Sequence, residues 1–536
     1  MKSSYTQFSV AKKILDRRDF LKGIGATGAL FLTANWSWSQ EEEQKYGGYG
    51  MPGGIVEDPK VYLRINTDGS VVVVIARSEM GQGIRSSLAL VVADELDADW
   101  NQMQVEQATG DQNRYGNQNT DGSRSMRHWY MPMRRCAATV RTMLQNAAAE
   151  LWGVPADEVI AYRHKMVHAK SGREASYGKL AETLNDQEIP DSGSIQLKNS
   201  SEFRFIGKNQ TLSVDIANMV SGKSVYGADI RFDDMLYAVV ARPPVFGSKM
   251  ESYDDAAALK VPGVVKVLPI EGATAPSEFN PLGGLAVVAE NTWAAIQGRK
   301  ALKVNWSSSP NDTYDSNNYR DQMREASQNP GKELRNVGNI EAAFASAAKT
   351  QSADYYLPHH AHAPMEPPAA IALLKDGKLQ AWAPSQNPES ARAKAAERAG
   401  VSYDDATLNV TLLGGGFGRK SKGDFVVEAA ELAKTFPGRA VRVQWTREDD
   451  IAHDYLHTVS GEHLEASLDK NGKTTGWLHR SVAPTITSIF AADQRHQAAF
   501  EIGMGVINAP FDVPNMRMEN PGIDAHTRIG WFRSVS

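Results

Sequence analysis

The chain has 536 residues, a hydrophobic content of 42%, a charged content of 23% and a formal net charge of −5. This length predicts about three or four domains, and the composition is that of a globular protein. The charge gives no indication of nucleic-acid binding, and the single cysteine, Cys136, excludes both a disulfide framework and an iron–sulfur cluster held by this chain.

The N-terminal segment has the pattern of a targeting signal. Arg17 and Arg18 stand together, and an apolar stretch over roughly 24–34 follows that is too short to span a bilayer. We interpret residues 1–39 as a twin-arginine signal peptide, with a basic patch before a buried helix as the alternative. The twin-arginine route exports folded proteins, often with a cofactor inserted, so we expect a periplasmic location.

The next elements include a glycine loop that opens a helix. A linker at 40–59 precedes a hairpin that turns at Asp68–Gly69. The loop Gly81–Gly83 then begins an amphipathic helix. A polar segment, 110–128, reads as an ordered loop, and a long helix is predicted over 133–152.

The second half of the chain predicts a mixture of strands and helices. Short strands with frequent turns over 225–306, with a helix around 292–301, indicate a separate α+β domain. A polar linker over 307–318 follows. Hairpin turns at Asp376–Gly377 and Asn471–Gly472 predict a mainly antiparallel sheet in the last region, so the expected fold class is α+β.

The most informative stretch is LLGGGFGRKSKGDF, residues 412–425, which lies between a predicted strand and a predicted helix. It is not a Walker A loop, because Arg419 precedes Lys420, and it lacks the third glycine of a dinucleotide fingerprint. Glycines let backbone N–H groups approach a ligand closely, and a helix N-terminus favours negative charge. The stretch therefore predicts an oxygen or anion cradle, with a tight structural turn as the alternative.

A histidine cluster is a second candidate site. His359, His360 and His362 stand close to Glu366, and three histidines in this spacing could bind a transition metal. Extended geometry, however, directs His359 to the face opposite the other two, and the neighbouring prolines indicate a stiff loop. We favour a packed, hydrogen-bonded loop over direct metal ligation.

Five motifs in order resemble those of one enzyme family. They are EMGQG at 79–83, AHAPMEP at 361–367, Ser385–Gln386–Asn387, GGGFGRK at 414–420 and WFRSV at 531–535. Together they resemble the molybdenum-binding large (beta) subunit of the xanthine dehydrogenase and aldehyde oxidase family, in particular its exported isoquinoline oxidoreductase branch. The resemblance implies that 60–205 is the N-terminal part of the second molybdopterin-binding domain, 206–310 a hammerhead domain and 311–536 the first molybdopterin-binding domain, with the chain ending before the rest of the second.

The resemblance also implies a cofactor and its contacts. In this family a molybdopterin dinucleotide, here expected to be the cytosine form, carries molybdenum through its own dithiolene, so the protein supplies no metal ligand. Gln386 matches a glutamine that hydrogen-bonds the metal's oxo group, Phe417 a wall for a flat substrate, and Arg533 an active-site arginine. The implied cofactor contacts are Gly81, Gln82, Gly83, Gly122, Ser123, Arg124, Ser125, Gly415, Gly416, Phe417, Gly418 and Arg419.

The implied reaction is hydroxylation of a carbon beside a ring nitrogen, or oxidation of an aldehyde, with oxygen from water. The electrons would pass to a small subunit with two [2Fe–2S] clusters, and a c-type cytochrome is a further candidate acceptor. Ser421 replaces the glutamate that follows this motif in many xanthine oxidase relatives, which argues against purine recognition. Arg419 replaces a glycine, as in the isoquinoline branch.

The proton-accepting base of the family is a glutamate in a G-x-G-E motif that this sequence does not contain. The nearest matches are GMGV at 503–506, which has Val506 in place of the glutamate, and SGEH at 460–463, which lacks the first glycine. We therefore expect the chain alone to be catalytically incomplete, with a second polypeptide supplying the missing part. The alternatives are a truncated, non-catalytic cofactor- or partner-binding product and, less consistent with the spacing, a nucleotide-binding protein.

Overall fold

A computed structural model describes residues 54–184, 187–208, 213–273 and 275–532. The predicted signal peptide and Arg533 lie outside these residues. Among the helices described, none combines the length and the apolar character needed to cross a membrane.

Within these described residues, twenty strands form five sheets. The strands are β1 Leu63–Ile65, β2 Val71–Ile75, β3 Met103–Gln107, β4 Val159–Tyr162, β5 Lys165–His168, β6 Arg173–Ser176, β7 Leu236–Ala241, β8 Met250–Asp254, β9 Val264–Ile270, β10 Gly284–Ala289, β11 Lys303–Trp306, β12 Lys332–Val337, β13 Lys349–Leu357, β14 Ala369–Lys375, β15 Lys378–Ala383, β16 Ala406–Val410, β17 Val441–Gln444, β18 Ser460–Leu468, β19 Thr474–Val482 and β20 Asn515–Asn520. The α-helices are α1 Pro59–Tyr62, α2 Ile84–Leu96, α3 Gln112–Tyr115, α4 Arg124–Trp152, α5 Tyr177–Leu184, α6 Ile216–Val220, α7 Thr292–Ala301, α8 Ser316–Gln328, α9 Ile340–Ala345, α10 Pro388–Ala399, α11 Asp424–Ala433, α12 Arg447–Ala452 and α13 Ala499–Ile502.

The N-terminal unit packs α2 and α4 against the sheet β1-β2-β3. The hairpin at Asp68–Gly69 is confirmed, because β1 and β2 pair antiparallel around it. Strands β2 and β3 are parallel, with α2 as the crossover between them. The loops that follow these two strands therefore leave the sheet at the same edge.

The long helix α4 begins at Arg124, so its predicted start at 133 is wrong. Gly122 and Ser123 both have positive φ, 51° and 54°, and this turn reverses the chain directly into the helix. Pro132 lies inside the helix although it has no N–H group to donate. Trp129 lies between the predicted loop at 110–128 and the predicted helix start, and its buried ring packs against Tyr62 with ring centroids 5.5 Å apart.

A seven-stranded sheet, in the order β16-β15-β14-β17-β7-β10-β9, forms the centre of the remaining chain. The hairpin at Asp376–Gly377 joins β14 to β15 as predicted. Three strands of the predicted hammerhead segment, 206–310, continue this sheet rather than forming one of their own. Helices α10 and α11 bury one face of the sheet through Ala391, Phe425 and Leu432.

A five-stranded sheet, in the order β12-β20-β19-β18-β13, carries α8 and α9 on one face. The turn at Asn471–Gly472 joins β18 to β19 as predicted. After β20 the chain runs back towards the seven-stranded sheet, where the N–H of Gly530 donates to the carbonyl of Leu456 at 3.0 Å. This return places Trp531 beside the glycine loop that follows β16.

Candidate active site

Two neighbouring parallel strands end at the candidate site. Strands β15 and β16 pair in parallel, and Gln386 follows the first while Gly414–Gly418 follows the second. Because the carboxyl ends of parallel strands meet at one edge of a sheet, residues far apart in sequence come together there.

Gln386 joins the glycine loop to the polar loop before α4. Its side chain is buried, Nε2 donates to the carbonyl of Thr120 at 2.9 Å, and Oε1 accepts from the N–H of Gly418 at 3.0 Å. The backbone N–H of Thr120 in turn donates to the carbonyl of Gln386 at 2.8 Å. These contacts fix the orientation of the amide, because its oxygen and nitrogen have different partners.

The loop after β2 reaches the same point. The N–H of Leu413 donates to the carbonyl of Glu79 at 3.0 Å. A Cβ on Gly416 would lie 2.5 Å from Gln386 Oε1 and 3.2 Å from Met80 Sδ. A side chain at 416 would therefore displace the Gln386 amide, and three of the predicted loops meet around Gln386.

The glycine loop presents backbone donors that the protein does not use. Gly415 and Gly418 have φ of 85° and 117°, and between them Phe417, a non-glycine residue, has a φ of 56°. In the part of the chain that the structure describes, no acceptor is found for the N–H groups of Gly415, Gly416 and Phe417. Three consecutive amides of this kind form a site for a ligand oxygen.

Buried charges hold this loop from behind. Lys420 Nζ lies 2.7 Å from Glu366 Oε2, and the Glu366 carboxylate also accepts from the N–H of Gly414 at 3.0 Å. The Arg419 guanidinium pairs with Asp424 at 2.9 Å and lies 3.3 Å from Asp454. Arg419 is fully buried and its N–H donates to the carbonyl of Gly416 at 2.8 Å, so the predicted contact of Arg419 with a cofactor stays a prediction.

The loop Gly81–Gly83 differs from this arrangement. The N–H groups of Gly81 and Gly83 both donate to Glu79 Oε1 at 2.9 Å, and the N–H of Arg85 donates to Oε2 at 3.1 Å. Gln82 folds back, with Oε1 accepting from the N–H of Met80 and Nε2 donating to the carbonyl of Ser78. The proposed contact of this loop with a cofactor stays a prediction, and it requires Glu79 to release the two amides.

The N-terminus of α4 is rich in positive charge. Ser123 caps the helix without a side-chain hydrogen bond, and Arg124 pairs with Asp121. Ser125 Oγ accepts from Nε of the fully buried Arg77, whose pKa burial lowers to about 9. The helix dipole adds a partial positive charge at this end.

His128 lies one turn further along the helix. Both of its ring nitrogens are buried without a hydrogen-bond partner among the described residues, and burial, with the cations Arg124, Arg127 and Arg77, lowers its pKa to about 4. A buried unpartnered polar group is rare in a protein. The positively charged start of α4, the unpartnered His128 ring and the unused amides of the glycine loop together fit a large, oxygen-rich, anionic cofactor.

The histidine cluster is bonded within the protein. His362 Nδ1 lies 2.9 Å from Asp454 Oδ2 and Nε2 lies 2.5 Å from the carbonyl of Trp531, and His359 Nδ1 contacts the carbonyl of His457. Burial lowers the pKa of both histidines. Across 54–184, 187–208, 213–273 and 275–532, no group of three or more metal-ligating side chains is placed to hold a metal ion.

Comparison with known proteins identifies the family. Two family models, both described as a molybdopterin cofactor-binding domain, match residues 2–228 and 324–533. The chain is 31% identical over 515 residues to the isoquinoline 1-oxidoreductase subunit beta of Brevundimonas diminuta, covering 86% of this chain. The chain belongs to the molybdenum-binding large subunits of the xanthine dehydrogenase family.

Other relatives show how far the similarity extends. A membrane-bound aldehyde dehydrogenase of Gluconacetobacter polyoxogenes, whose name includes pyrroloquinoline quinone, is 29% identical over 538 residues, 97% of this chain and 68% of its own length. The crystal structure of quinoline 2-oxidoreductase from Pseudomonas putida 86 matches 60% of this chain and 45% of its own at 19% identity, with a TM-score of 0.48. The chain spans 64% of the length of the isoquinoline relative.

The structure brings together most of the predicted site residues of this molybdenum-subunit homologue. Gln386 lies beside the glycine loop, and the loop that contains Gly122–Ser125 joins it through Thr120. The sequence analysis missed Glu79 and Thr120 as supports. Glu79 had a local signal, since an acid directly before a glycine loop at a helix start is placed to bind the free amides there. The proposed domain boundaries and the cofactor contacts themselves remain predictions.

Proposed function

We propose that this chain is the molybdopterin-binding subunit of an enzyme that hydroxylates an N-heteroaromatic compound or oxidises an aldehyde, with water as the source of oxygen. The observation that carries the proposal is the meeting of the Gln386 amide with three unused backbone amides in a chain of this family. When bound, the cofactor supplies the two-electron redox chemistry, and the protein supplies binding, orientation and electrostatics.

The residues that would hold the cofactor are those with unused donors. Gly415, Gly416 and Phe417 offer backbone N–H groups, and the second hydrogen of Gln386 Nε2 has no acceptor among the described residues. The N-terminus of α4 would take a negatively charged part of the cofactor. We infer the cytosine dinucleotide form from the resemblance to the isoquinoline branch.

Phe417 is placed to contact a substrate ring. Its side chain is 37% exposed, and a Cβ on Gly415 would lie 3.2 Å from the Phe417 ring and 3.4 Å from Pro364. Met365, beside Pro364, is 88% exposed, so the mouth of the site has an apolar rim. An apolar rim around a flat aromatic wall favours a planar heteroaromatic substrate over a small polar one.

Turnover needs an electron acceptor and a proton-accepting base, and the glutamate motif expected for the base does not occur in these 536 residues. The one cysteine of the chain, Cys136, is buried in α4, so we propose a partner with two [2Fe–2S] clusters, and a c-type cytochrome as a further acceptor. We propose that a glutamate on a polypeptide segment outside these 536 residues acts as the base. Arg17 and Arg18 support export of the folded protein to the periplasm.

Metal and nucleotide analysis of the protein purified with its iron–sulfur partner tests the proposal. We expect about one molybdenum per chain and release of a cytosine nucleotide from the pterin. Bound pyrroloquinoline quinone, or ATP without molybdenum, would refute it. Assays with N-heterocycles and aldehydes, with and without an added C-terminal segment of a longer relative, then separate an enzyme from a non-catalytic cofactor-binding product.

A further inference from the structure

Lys422 is buried in an unusual way. Its side chain is fully buried, yet among the described residues it forms no ion pair with a carboxylate. Its Nζ instead donates to the carbonyl of Gly418 at 2.7 Å and to the carbonyl of Trp531 at 3.2 Å. The nearby Lys420 is equally buried but has the expected carboxylate partner, Glu366.

The two carbonyls meet where the backbone of the glycine loop touches the returning segment. A Cβ on Gly418 would lie 2.0 Å from the carbonyl oxygen of Trp531, and Gly418 has a φ of 117°. Two carbonyl oxygens held close together repel each other unless a donor lies between them. Lys422 supplies that donor, and His362 Nε2 contacts the same Trp531 oxygen at 2.5 Å.

The charges around Lys422 are already committed to other partners. Asp424 pairs with Arg419 and, at 3.5 Å, with Arg528, while Asp454 binds His362 and Arg419. The rings of Tyr455 and Trp531 lie 5.9 Å and 5.0 Å from Nζ. Nζ of Lys422, whose pKa burial lowers to about 7, therefore donates to the two carbonyls rather than pairing with a carboxylate.

Gly418 connects this contact to the candidate active site. The carbonyl of Gly418 accepts from Lys422, and its N–H donates to Gln386 Oε1 at 3.0 Å. Phe417, the proposed substrate wall, precedes it in a positive-φ conformation that the surroundings must enforce. A shift of the 418 peptide would therefore move both the Gln386 amide and the Phe417 ring.

We propose that Lys422 is a positioning residue that locks the segment 529–532 onto the glycine loop and thereby orients Gln386 and Phe417. The role of these two residues rests on the proposed function, whereas the locking itself is a property of the chain. It can be measured without turnover, so the two ideas can fail separately.

Hydrogen exchange on the full chain, without added cofactor, tests the locking. In Lys422→Met we expect backbone amides in 412–420 and 526–532 to exchange at least about tenfold faster, because the two hydrogen bonds from Nζ that join these segments are lost. Amides of α2 should keep their rates. The matched control is Lys198→Met, which removes a lysine paired with Asp97 at 3.0 Å in the N-terminal unit and should accelerate neither segment.

Two results would overturn the proposal. One is a folded Lys422→Met protein whose loop exchanges as slowly as that of the wild type. The other is global unfolding of both Lys422→Met and the milder Lys422→Gln, which would show that the lysine supports the whole fold and not the loop. In the loaded enzyme, the proposal predicts that Lys422→Gln lowers kcat more than it raises KM, whereas a purely structural role lowers only the amount of active enzyme.

Discussion

The two glycine loops of this chain look alike in sequence and differ in what they do with their donors. Both follow a strand and precede a helix, Gly81–Gly83 before α2 and Gly414–Gly418 before α11. In the first, the Glu79 carboxylate takes the N–H groups of two glycines. In the second, the corresponding acid, Glu366, takes only the first amide, that of Gly414, and the next three have no partner among the described residues.

This difference indicates that a glycine loop can bind a ligand only where no side chain of the protein already occupies its amides. Both loops have the positive φ values that glycine favours, so backbone conformation does not separate them. The two loops differ in the position of the nearby carboxylate, because Glu79 binds two glycine amides of the first loop and Glu366 binds one of the second. The first loop is a helix start whose amides bind a carboxylate of the protein, and the second leaves three amides that we propose a ligand binds.

The largest expected effect comes from adding one methyl group to each loop. Gly418→Ala places a Cβ 2.0 Å from the carbonyl of Trp531, whereas a Cβ on Gly83 meets nothing within 4 Å. Both positions have positive φ, 117° and 80°, so each substitution carries a backbone cost of about 1 kcal/mol. We expect Gly83→Ala to lose little more than this, and Gly418→Ala to lose several-fold more stability together with molybdenum content.

Urea unfolding and metal analysis of the two variants provide the measurement. If Gly418→Ala retains wild-type stability and metal content, the close approach to Trp531 does not constrain the loop. If Gly83→Ala loses as much as Gly418→Ala, the two loops are not the different structures described above.

The next largest effects are expected on turnover and on substrate binding. Gln386→Ala removes an oriented amide, and loss of one such donor lowers turnover by about 10²- to 10³-fold. Phe417→Ala removes an exposed ring and should mainly raise KM. Steady-state kinetics of the complete enzyme, normalised to molybdenum content, separates the two. Equal losses of cofactor in both variants, with no kinetic difference, would contradict these roles.

Local chemistry made much of the fold predictable. The turns at Asp68–Gly69, Asp376–Gly377 and Asn471–Gly472 are short sequences that favour hairpins, and each joins two antiparallel strands. The helix at Thr292–Ala301 has the expected bounds. The start of α4 could not be found in this way, because it depends on the packing of Trp129 against Tyr62, which is distant in sequence.

The residues of the candidate site also divide into those that the sequence predicts and those that depend on contacts distant in sequence. Motif residues such as Gln386 and Gly416 were found from the resemblance, and the structure places them in contact. Thr120 and Lys422 were missed, since Thr120 contacts Gln386 through its own backbone N–H and carbonyl, and Lys422 donates to the carbonyl of Trp531, far along the chain. A backbone carbonyl leaves no trace in the residue type, so sequence cannot show which one a side chain will reach.

A smaller effect is expected from making the first loop resemble the second. Glu79→Gln removes the charge that binds the N–H groups of Gly81 and Gly83, and hydrogen bonds to a charged group are worth about 1.5–3 kcal/mol. We expect the unfolding free energy to fall by an amount in this range. Hydrogen exchange should become faster at 81–85 and stay unchanged at 414–418.

Glu106→Gln is a suitable control, because Glu106 forms only an exposed pair with Arg64. It should change stability by less than about 1 kcal/mol. Unchanged exchange at 81–85 in the Glu79 variant would mean that the carboxylate does not fill the first loop.

The smallest effect is a pH dependence at the third glycine-opened turn, before α4. The pKa of His128 is lowered from an ordinary value of 6.5 to about 4, mainly by burial. The unfolded chain therefore binds a proton at His128 below about pH 6.5 that the folded chain binds only near pH 4, so stability falls as the pH decreases through this window. His128→Phe should remove about 1–2 kcal/mol of the difference in unfolding free energy between pH 7 and pH 5.

The positive charge of the α4 N-terminus allows a second test, because an anion bound there would favour the protonated His128 ring. Inorganic phosphate should then raise the His128 pKa, as followed by NMR of the ring. A His128 pKa that does not change with phosphate would show that the start of α4 binds anions no better than the Glu79-filled start of α2.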